Sequence, residues 1–179
     1  MSSDFEARYN YHFPTSIRFG KGVVDELGKH LAEQGYSKPL IVTDPGFVKL
    51  DVFQRVVGLL KSAGLDVEVF SGIDKNPVKS NVLKGADVYK AQNRDSIVGL
   101  GGGASMDVAR AIALRINHRK DLFDYDDAIG GDRFVTEEIP YFVTVPTTSG
   151  TGSEVGRSTV ISDDLTHEKK ILFSSKCHI

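Results

Sequence analysis

Residues 96–107 read SIVGLGGGASMD, an apolar run that ends in three consecutive glycines and continues into a helix-like pattern. Glycine is favoured where the backbone must turn sharply and lie close to a ligand. The helix that begins here offers free backbone N–H groups and the positive end of its dipole, which suits a pyrophosphate. The spacing is not the G-x-G-x-x-G pattern of the ordinary dinucleotide motif. Taken alone, the stretch is therefore equally consistent with a simple strand-to-helix turn.

Short apolar strands alternate with amphipathic helices on both sides of this stretch. Apolar runs at 39–43, 67–70 and 141–145 predict further strands, and apolar residues at helical spacing predict helices between them. This repeat is typical of an α/β fold with a doubly wound, mostly parallel sheet. Strand-like residues at 159–161 and 170–173, separated by a turn signal, predict a C-terminal β-hairpin.

Two further segments carry weaker patterns. Residues 16–20 alternate between polar and apolar side chains, which predicts a half-buried strand. Residues 121–138 are polar and contain Gly130 and Gly131, which predicts a long surface loop.

A second polar cluster follows the apolar run at 141–145. Residues 146–154 read PTTSGTGSE, with five hydroxyl groups and two glycines in nine residues. Hydroxyls and free N–H groups at a strand end can donate to a phosphate or a carboxamide. A hydrophilic loop would have a similar composition. Because both clusters follow strands of one sheet, a shared ligand is the favoured interpretation.

Carboxylate and amide side chains also follow two of the predicted strands. Asp44 ends the strand at 39–43, where a carboxylate can accept both ribose hydroxyls and would repel a 2′-phosphate. Asp before Pro-Gly is equally a turn residue, and Asn76 before Pro77 has the same two interpretations.

The composition excludes several classes of protein. The chain has 179 residues, which predicts one domain, and its formal net charge of −2 gives no reason to expect nucleic acid as a partner. No apolar run approaches a membrane span, and the N-terminus lacks signal-peptide features, so a cytoplasmic protein without membrane contact is expected. Cys177 is the only cysteine, and the five histidines show no ligand spacing.

Taken together, these residues resemble the iron-containing (group III) alcohol dehydrogenases, which have a Rossmann-like NAD-binding domain. The resemblance covers essentially the whole chain, and residues 146–154 are its most specific part. The matching segments are 19–22, 42–44, 76–77, 101–107, 124–125, 146–154 and 168–170. Ala104 and Arg110 depart from it, since many members have Ser and Lys there.

The resemblance implies roles for ten residues in binding NAD. Asp44 would meet the adenosine ribose with Asn76 nearby, and Asp107 would lie toward the nicotinamide. The pyrophosphate would lie on Gly102, Gly103 and Ala104, and the other side of the cofactor would be lined by Thr147, Thr148, Thr151 and Lys170.

The resemblance also implies what the whole enzyme does. It would transfer hydride between NAD and a small alcohol or aldehyde, with Fe²⁺ or Zn²⁺ polarising the substrate oxygen. Residues 1–179 are expected to form the NAD-binding domain only. The family's helical domain, which carries the metal ligands, is expected to be absent, so no catalytic or metal-binding residue is assigned and the 179-residue chain alone is expected to be inactive.

Two alternative functions remain, and one partner is expected. The chain alone is also consistent with a nucleotide-binding module without catalysis, or with a dehydroquinate-synthase-like lyase, although residues 147–154 argue against the lyase. The family's dimer contact lies around residues 17–19, so a homodimer is expected.

Overall fold

The sheet contains four parallel strands in the order β2-β1-β3-β4. The computed structural model describes residues 15–173. The strands are β1 (Pro39–Val42), β2 (Glu68–Phe70), β3 (Ser96–Gly101) and β4 (Tyr141–Pro146). β1 pairs with β2 and β3, and β3 pairs with β4. This confirms the predicted parallel sheet and makes β1 and β3 its inner strands.

Helices cover both faces of the sheet, which confirms the doubly wound arrangement. They are α1 (Leu27–Glu33), α2 (Asp51–Ser62), α3 (Lys79–Ala91) and α4 (Gly103–Asn117). The strand β3 is buried along its whole length, and its successive side chains enter different cores. Val98 packs with residues of α1 and α2, whereas Ile97 packs with residues of α3 and α4. Burial on both faces explains why β3 is a continuous apolar run.

The predicted C-terminal hairpin is confirmed as β5 (Ser158–Ser162) and β6 (Lys169–Phe173), which are antiparallel. It forms a separate two-stranded sheet whose buried side packs on α4. Ser162 pairs with Val78 just before α3, and Leu172 pairs with Asp126. The hairpin is thereby tied to three other parts of the chain.

The strand predicted at 16–20 is wrong. Residues 15–19 have no regular secondary structure, and the side chains of Ile17 and Phe19 are 59% and 99% exposed. A strand requires a hydrogen-bonded neighbour, and within residues 15–173 no strand pairs with this segment. The alternating pattern alone could not reveal that lack.

The surface loop predicted at 121–138 is also wrong in part. The segment contains three 3₁₀ turns, Leu122–Tyr125, Asp127–Ile129 and Gly131–Phe134. Leu122 and Tyr125 are each 1% exposed and join the core beside α4. Asp121 and Asp126 accept hydrogen bonds from backbone amides that begin the first two turns. The polar residues therefore shape the turns while a few apolar residues anchor them.

Within residues 15–173, no helix is long and apolar enough to cross a membrane.

Candidate functional site

The candidate site lies at the carboxyl ends of β1, β3 and β4. The strand order reverses direction between β1 and β3, because the chain proceeds from β1 to β2 on one side and continues with β3 and β4 on the other. Ligands of open α/β sheets bind at such a switch point, outside the carboxyl ends of the strands. The two glycine-containing clusters and Asp44 all follow strands at this edge.

The glycines after β3 have two different roles. Gly101 has a φ of +146°, and a Cβ built on it would lie 2.6 Å from Ser105 Oγ, so the turn itself requires glycine there. Gly102 has a φ of −79°, and its built Cβ would meet only Thr148 Oγ1, at 3.7 Å. Since nothing in the fold demands glycine at Gly102, its missing side chain leaves room for a ligand.

The hydroxyl-rich segment 147–153 lies over these glycines. The Thr147 amide donates to the Gly101 carbonyl oxygen at 3.0 Å. A Cβ built on Gly103 would lie 3.3 Å from Thr151 Oγ1 and 3.6 Å from Ser153 Oγ. Helix α4 begins at Gly103 and leaves its first N–H groups without intrahelical acceptors. Hydroxyl and N–H donors therefore face the same small space, which suits a phosphate-containing ligand.

Asp44 closes the other side of this space. Its Oδ1 accepts hydrogen bonds of 2.9 Å from the amides of Gly46 and Phe47, while its Oδ2 would lie 3.7 Å from a Cβ built on Gly101. A cavity of about 330 Å³ adjoins the carboxylate. Its lining residues are Asp44, Pro45, Ile73, Asp74, Lys75, Gly102, Ala104 and Ser105.

Asp107 faces the hairpin. Its carboxylate lies near the Ser153 side chain and the Val160 backbone, and 3.8 Å from Arg110 Nη1. Burial raises the pKa of Asp107 to about 6, although Arg110, Ser153 and Val160 act in the opposite direction. Asp107 therefore contacts the hydroxyl-rich segment through Ser153.

Asn76 and Lys170, both predicted to bind NAD, are not among the residues that line the cavity beside Asp44. Asn76 lies in an exposed bend beside Lys75, which lines the cavity. Lys170 Nζ lies 2.8 Å from a Glu168 carboxylate oxygen and 3.6 Å from one of Asp126. These carboxylates raise the pKa of Lys170. Its ion pair with Asp126 ties β6 to the 3₁₀ segment.

Sequence reasoning missed several residues of the site. Ile73, Asp74 and Lys75 line the cavity, and they follow β2 as Asp44 follows β1. The rule that ligands bind at the carboxyl ends of strands was enough to find them. Ser153 lies in the quoted 146–154 stretch but was not selected, because sequence does not show which hydroxyls of a loop turn inward.

Other parts of the described chain offer less to a ligand. An open depression of about 770 Å³ lies beside the end of α4 and includes His118 and Tyr125 in its lining. His118 is buried, and both its ring nitrogens are held by backbone groups, the Leu114 carbonyl and the Glu137 amide. Within residues 15–173, no group of three or more His, Cys, Asp or Glu side chains is arranged to hold a metal ion.

Comparisons with known proteins identify similar sequences and similar structures. The family model described as iron-containing alcohol dehydrogenase matches residues 14–178. A choline dehydrogenase from Bacillus subtilis (strain 168) is 40% identical over 156 residues, which cover 87% of this chain and 39% of that protein.

Two solved structures have the same fold over most of the chain. A 1,3-propanediol oxidoreductase superposes with a TM-score of 0.87 at 31% identity, covering 96% of this chain and 44% of its own. The NADH-dependent butanol dehydrogenase A from Thermotoga maritima has a TM-score of 0.85 at 31% identity, with 96% and 42% covered. The chain thus spans about two fifths of the length of the relatives that it matches.

Proposed function

This chain belongs to the iron-containing alcohol dehydrogenase family, and from that premise we propose that it forms the NAD-binding domain of a metal-dependent alcohol dehydrogenase. The reaction would transfer hydride between NAD and a small alcohol or aldehyde. The observation that carries the proposal is the meeting of Asp44, the glycines after β3 and the hydroxyls of residues 147–153 at one sheet edge. The family match is with the dehydrogenases, so a lyase reaction is not proposed.

The adenosine half of NAD would occupy the cavity beside Asp44. Oδ1 of Asp44 is engaged by the turn, so Oδ2 is the oxygen that would accept the ribose hydroxyls. Ile73 supplies an apolar surface and Lys75 lies beside it, with Asn76 following at the rim. The negative charge of Asp44 supports a preference for NAD over NADP.

The pyrophosphate would lie on Gly102, Gly103 and Ala104, where the first N–H groups of α4 are available as donors. Thr147, Thr148 and Thr151 would line the opposite side and donate toward the nicotinamide half. Asp107 would act at that half through Ser153, and Lys170 by holding the hairpin that carries β6. When bound, NAD supplies the hydride acceptor, and these residues hold and orient it.

We propose Fe²⁺ or Zn²⁺ for the whole protein, and no ligand is assigned within residues 15–173. The relatives named for choline, butanol and 1,3-propanediol support an alcohol as substrate. Oxidation of ethanol, butanol and 1,3-propanediol by the metal-loaded whole protein, followed by NADH absorbance, tests this part of the proposal.

Calorimetric titration of the chain with NAD tests the binding site. The double variant Thr148→Val, Thr151→Val keeps the side-chain shape but removes two donors, and we expect NAD affinity to fall about tenfold. Ser149→Ala, in the same exposed loop, is the matched control and should bind NAD as the wild type does. Absence of NAD binding by the wild type, or tighter binding of NADP, contradicts the proposal.

We also propose that the protein is a cytoplasmic homodimer. The support for the dimer is the exposure of Ile17 and Phe19, two large apolar side chains two positions apart in the described N-terminal segment. Phe19→Asp should shift the sedimentation coefficient from dimer to monomer. A wild-type chain that sediments as a monomer at high concentration would contradict the dimer.

A further inference from the structure

A fully buried arginine links α4 to the hydroxyl-rich segment. Arg110 has no exposed surface, although it lies in a helix whose other guanidinium, Arg115, is partly exposed. Its Nη1 donates to the Ser158 carbonyl oxygen at 2.7 Å, and its Nη2 donates to the Ser153 carbonyl oxygen. The guanidinium also lies over the Phe142 ring, 5.5 Å from the ring centroid. One side chain thus joins α4, β4 and both ends of the 153–158 segment.

Neighbouring contacts also hold the 153–158 segment and the residues just after it. Asp107, one helical turn before Arg110, lies near the Ser153 side chain and the Val160 backbone. The Thr159 hydroxyl donates to the Asp107 carbonyl oxygen at 2.7 Å. Thr144 Oγ1 donates to the Glu154 carbonyl oxygen at 3.1 Å. The chain is therefore fixed from Ser153 onward by bonds to α4 and β4.

The hydroxyl-rich segment is held at its two ends. The Thr147 amide donates to the Gly101 carbonyl at one end, and the Ser153 carbonyl accepts from Arg110 at the other. Between these ends, residues 148–151 are exposed, so few internal contacts fix their position. The positions of Thr148 and Thr151 over Gly102 and Gly103 then depend on the two anchored ends.

Burial of a guanidinium is costly unless charged or polar partners compensate for it. An apolar side chain of similar volume could fill the space, but it could not bond two main-chain carbonyl groups at once. The arginine therefore fixes the position of the 153–158 segment, which packing alone would not do.

We propose that Arg110 is a positioning residue for the cofactor site: it holds residues 148–153 in the one arrangement that places their hydroxyls over the glycines after β3. The inference rests on the proposed function, and it adds a residue that would not touch the cofactor. If the segment adopts the binding arrangement only part of the time, the apparent affinity is the intrinsic affinity multiplied by that fraction.

Binding of NAD and of AMP separates this role from a general effect on the fold. AMP carries the adenosine ribose but lacks the pyrophosphate bridge and the nicotinamide half. We expect Arg110→Met to weaken NAD binding about tenfold and AMP binding less than about twofold. Arg110→Lys keeps the charge and a donor to one carbonyl, so it should restore NAD affinity to within about threefold of the wild type.

Two further variants complete the design. Arg115→Met is the matched control. Arg115 also lies in α4, and its guanidinium donates to the main-chain carbonyl of His118 at the opposite end of the helix. Arg115→Met should leave NAD binding unchanged. Thr144→Val removes a bond to Glu154 without altering a buried charge, and it should weaken NAD binding about twofold to threefold even if Arg110→Met folds poorly.

Hydrogen exchange of residues 148–156 provides a readout that does not require a ligand. Faster exchange there in Arg110→Met, and not in Arg115→Met, supports the proposal. Wild-type NAD affinity in Arg110→Met, or equal losses of NAD and AMP binding, would overturn the positioning role and leave the proposed function standing. A wild-type chain that binds neither NAD nor AMP would overturn the proposed function and this inference with it.

Discussion

The Oδ1 atom of Asp44 lies 2.9 Å from the backbone nitrogen of Phe47, whereas Oδ2 of the same carboxylate is turned toward Gly101. The sequence alone is equally consistent with a turn role and with a ribose-binding role for this residue. The geometry assigns the turn to one oxygen and leaves the other beside the cavity. The two roles are therefore compatible, and they can be separated by a substitution that keeps the turn.

Asp44→Asn should narrow the preference for NAD over NADP. Asparagine retains an oxygen that accepts from Gly46 and Phe47, but it removes the charge that repels a 2′-phosphate. We expect NADP affinity to rise about tenfold, with a smaller loss of NAD affinity. Titration of both cofactors measures this ratio. Asp87→Asn, an exposed substitution on α3 with the same change in charge, should leave the ratio of NAD to NADP affinity unchanged. If Asp44→Asn also leaves this ratio unaltered, Asp44 is not the cause of the preference for NAD.

Asp107 should make the stability of the chain depend on pH. Burial raises the pKa of Asp107 from 3.8 to about 6 in the folded state. Between these values the folded chain holds a proton that the unfolded chain has lost, so the free energy of unfolding falls as pH rises. The contribution is fully present below about pH 4 and lost above about pH 6. The difference between the two pKa values corresponds to about 3 kcal/mol.

Urea unfolding of the wild type and of Asp107→Asn between about pH 4 and pH 7 measures this contribution. The free energy of unfolding of the wild type, relative to that of the variant, should decline by about 2 kcal/mol over this range, most of the full difference. Asp87→Asn should keep the wild-type pH dependence. A wild-type advantage that stays constant or grows with pH would contradict the raised pKa.

Much of the central architecture could be predicted because it is encoded locally. The strand β3 is apolar throughout since both its faces are buried, and its glycines mark the turn into α4. Proximity of the two glycine-containing clusters follows from the parallel sheet, because all its carboxyl ends lie at one edge. These features require no knowledge of distant contacts.

Features that depend on contacts between distant residues could not be predicted from the sequence. Residues 16–20 have the pattern of a strand, but the described chain provides them with no neighbouring strand. Lys170 bonds Asp126, a partner 44 positions earlier whose acceptor role is not visible in the sequence. Arg110 resembles an exposed helical residue until the hairpin covers it. In each case the deciding partner is brought close only by the tertiary fold.

Asp164 should stabilise the chain by capping α3 from the hairpin turn. Its Oδ2 accepts a hydrogen bond of 3.0 Å from the Ser80 amide in the first turn of the helix. Asp164→Ala leaves this amide without the acceptor and should lower the free energy of unfolding by about 1 kcal/mol. Glu168→Ala removes an exposed acid from the same turn and should cost less than about 0.5 kcal/mol. Equal losses in urea unfolding would contradict the capping role.

Gly102→Val should weaken NAD binding strongly while the fold survives. The backbone of Gly102 suits any residue, and its built Cβ meets only Thr148 Oγ1 at 3.7 Å, so the added side chain would occupy the proposed pyrophosphate position rather than strain the chain. We expect NAD affinity to fall by at least about tenfold, with a loss of stability of about 1 kcal/mol from the altered N-cap. Gly58→Ala, in open space on α2, is the matched control and should be slightly more stable with unchanged affinity. Calorimetry and circular dichroism measure the two effects separately, and undiminished affinity in Gly102→Val would mean that these glycines only form a turn.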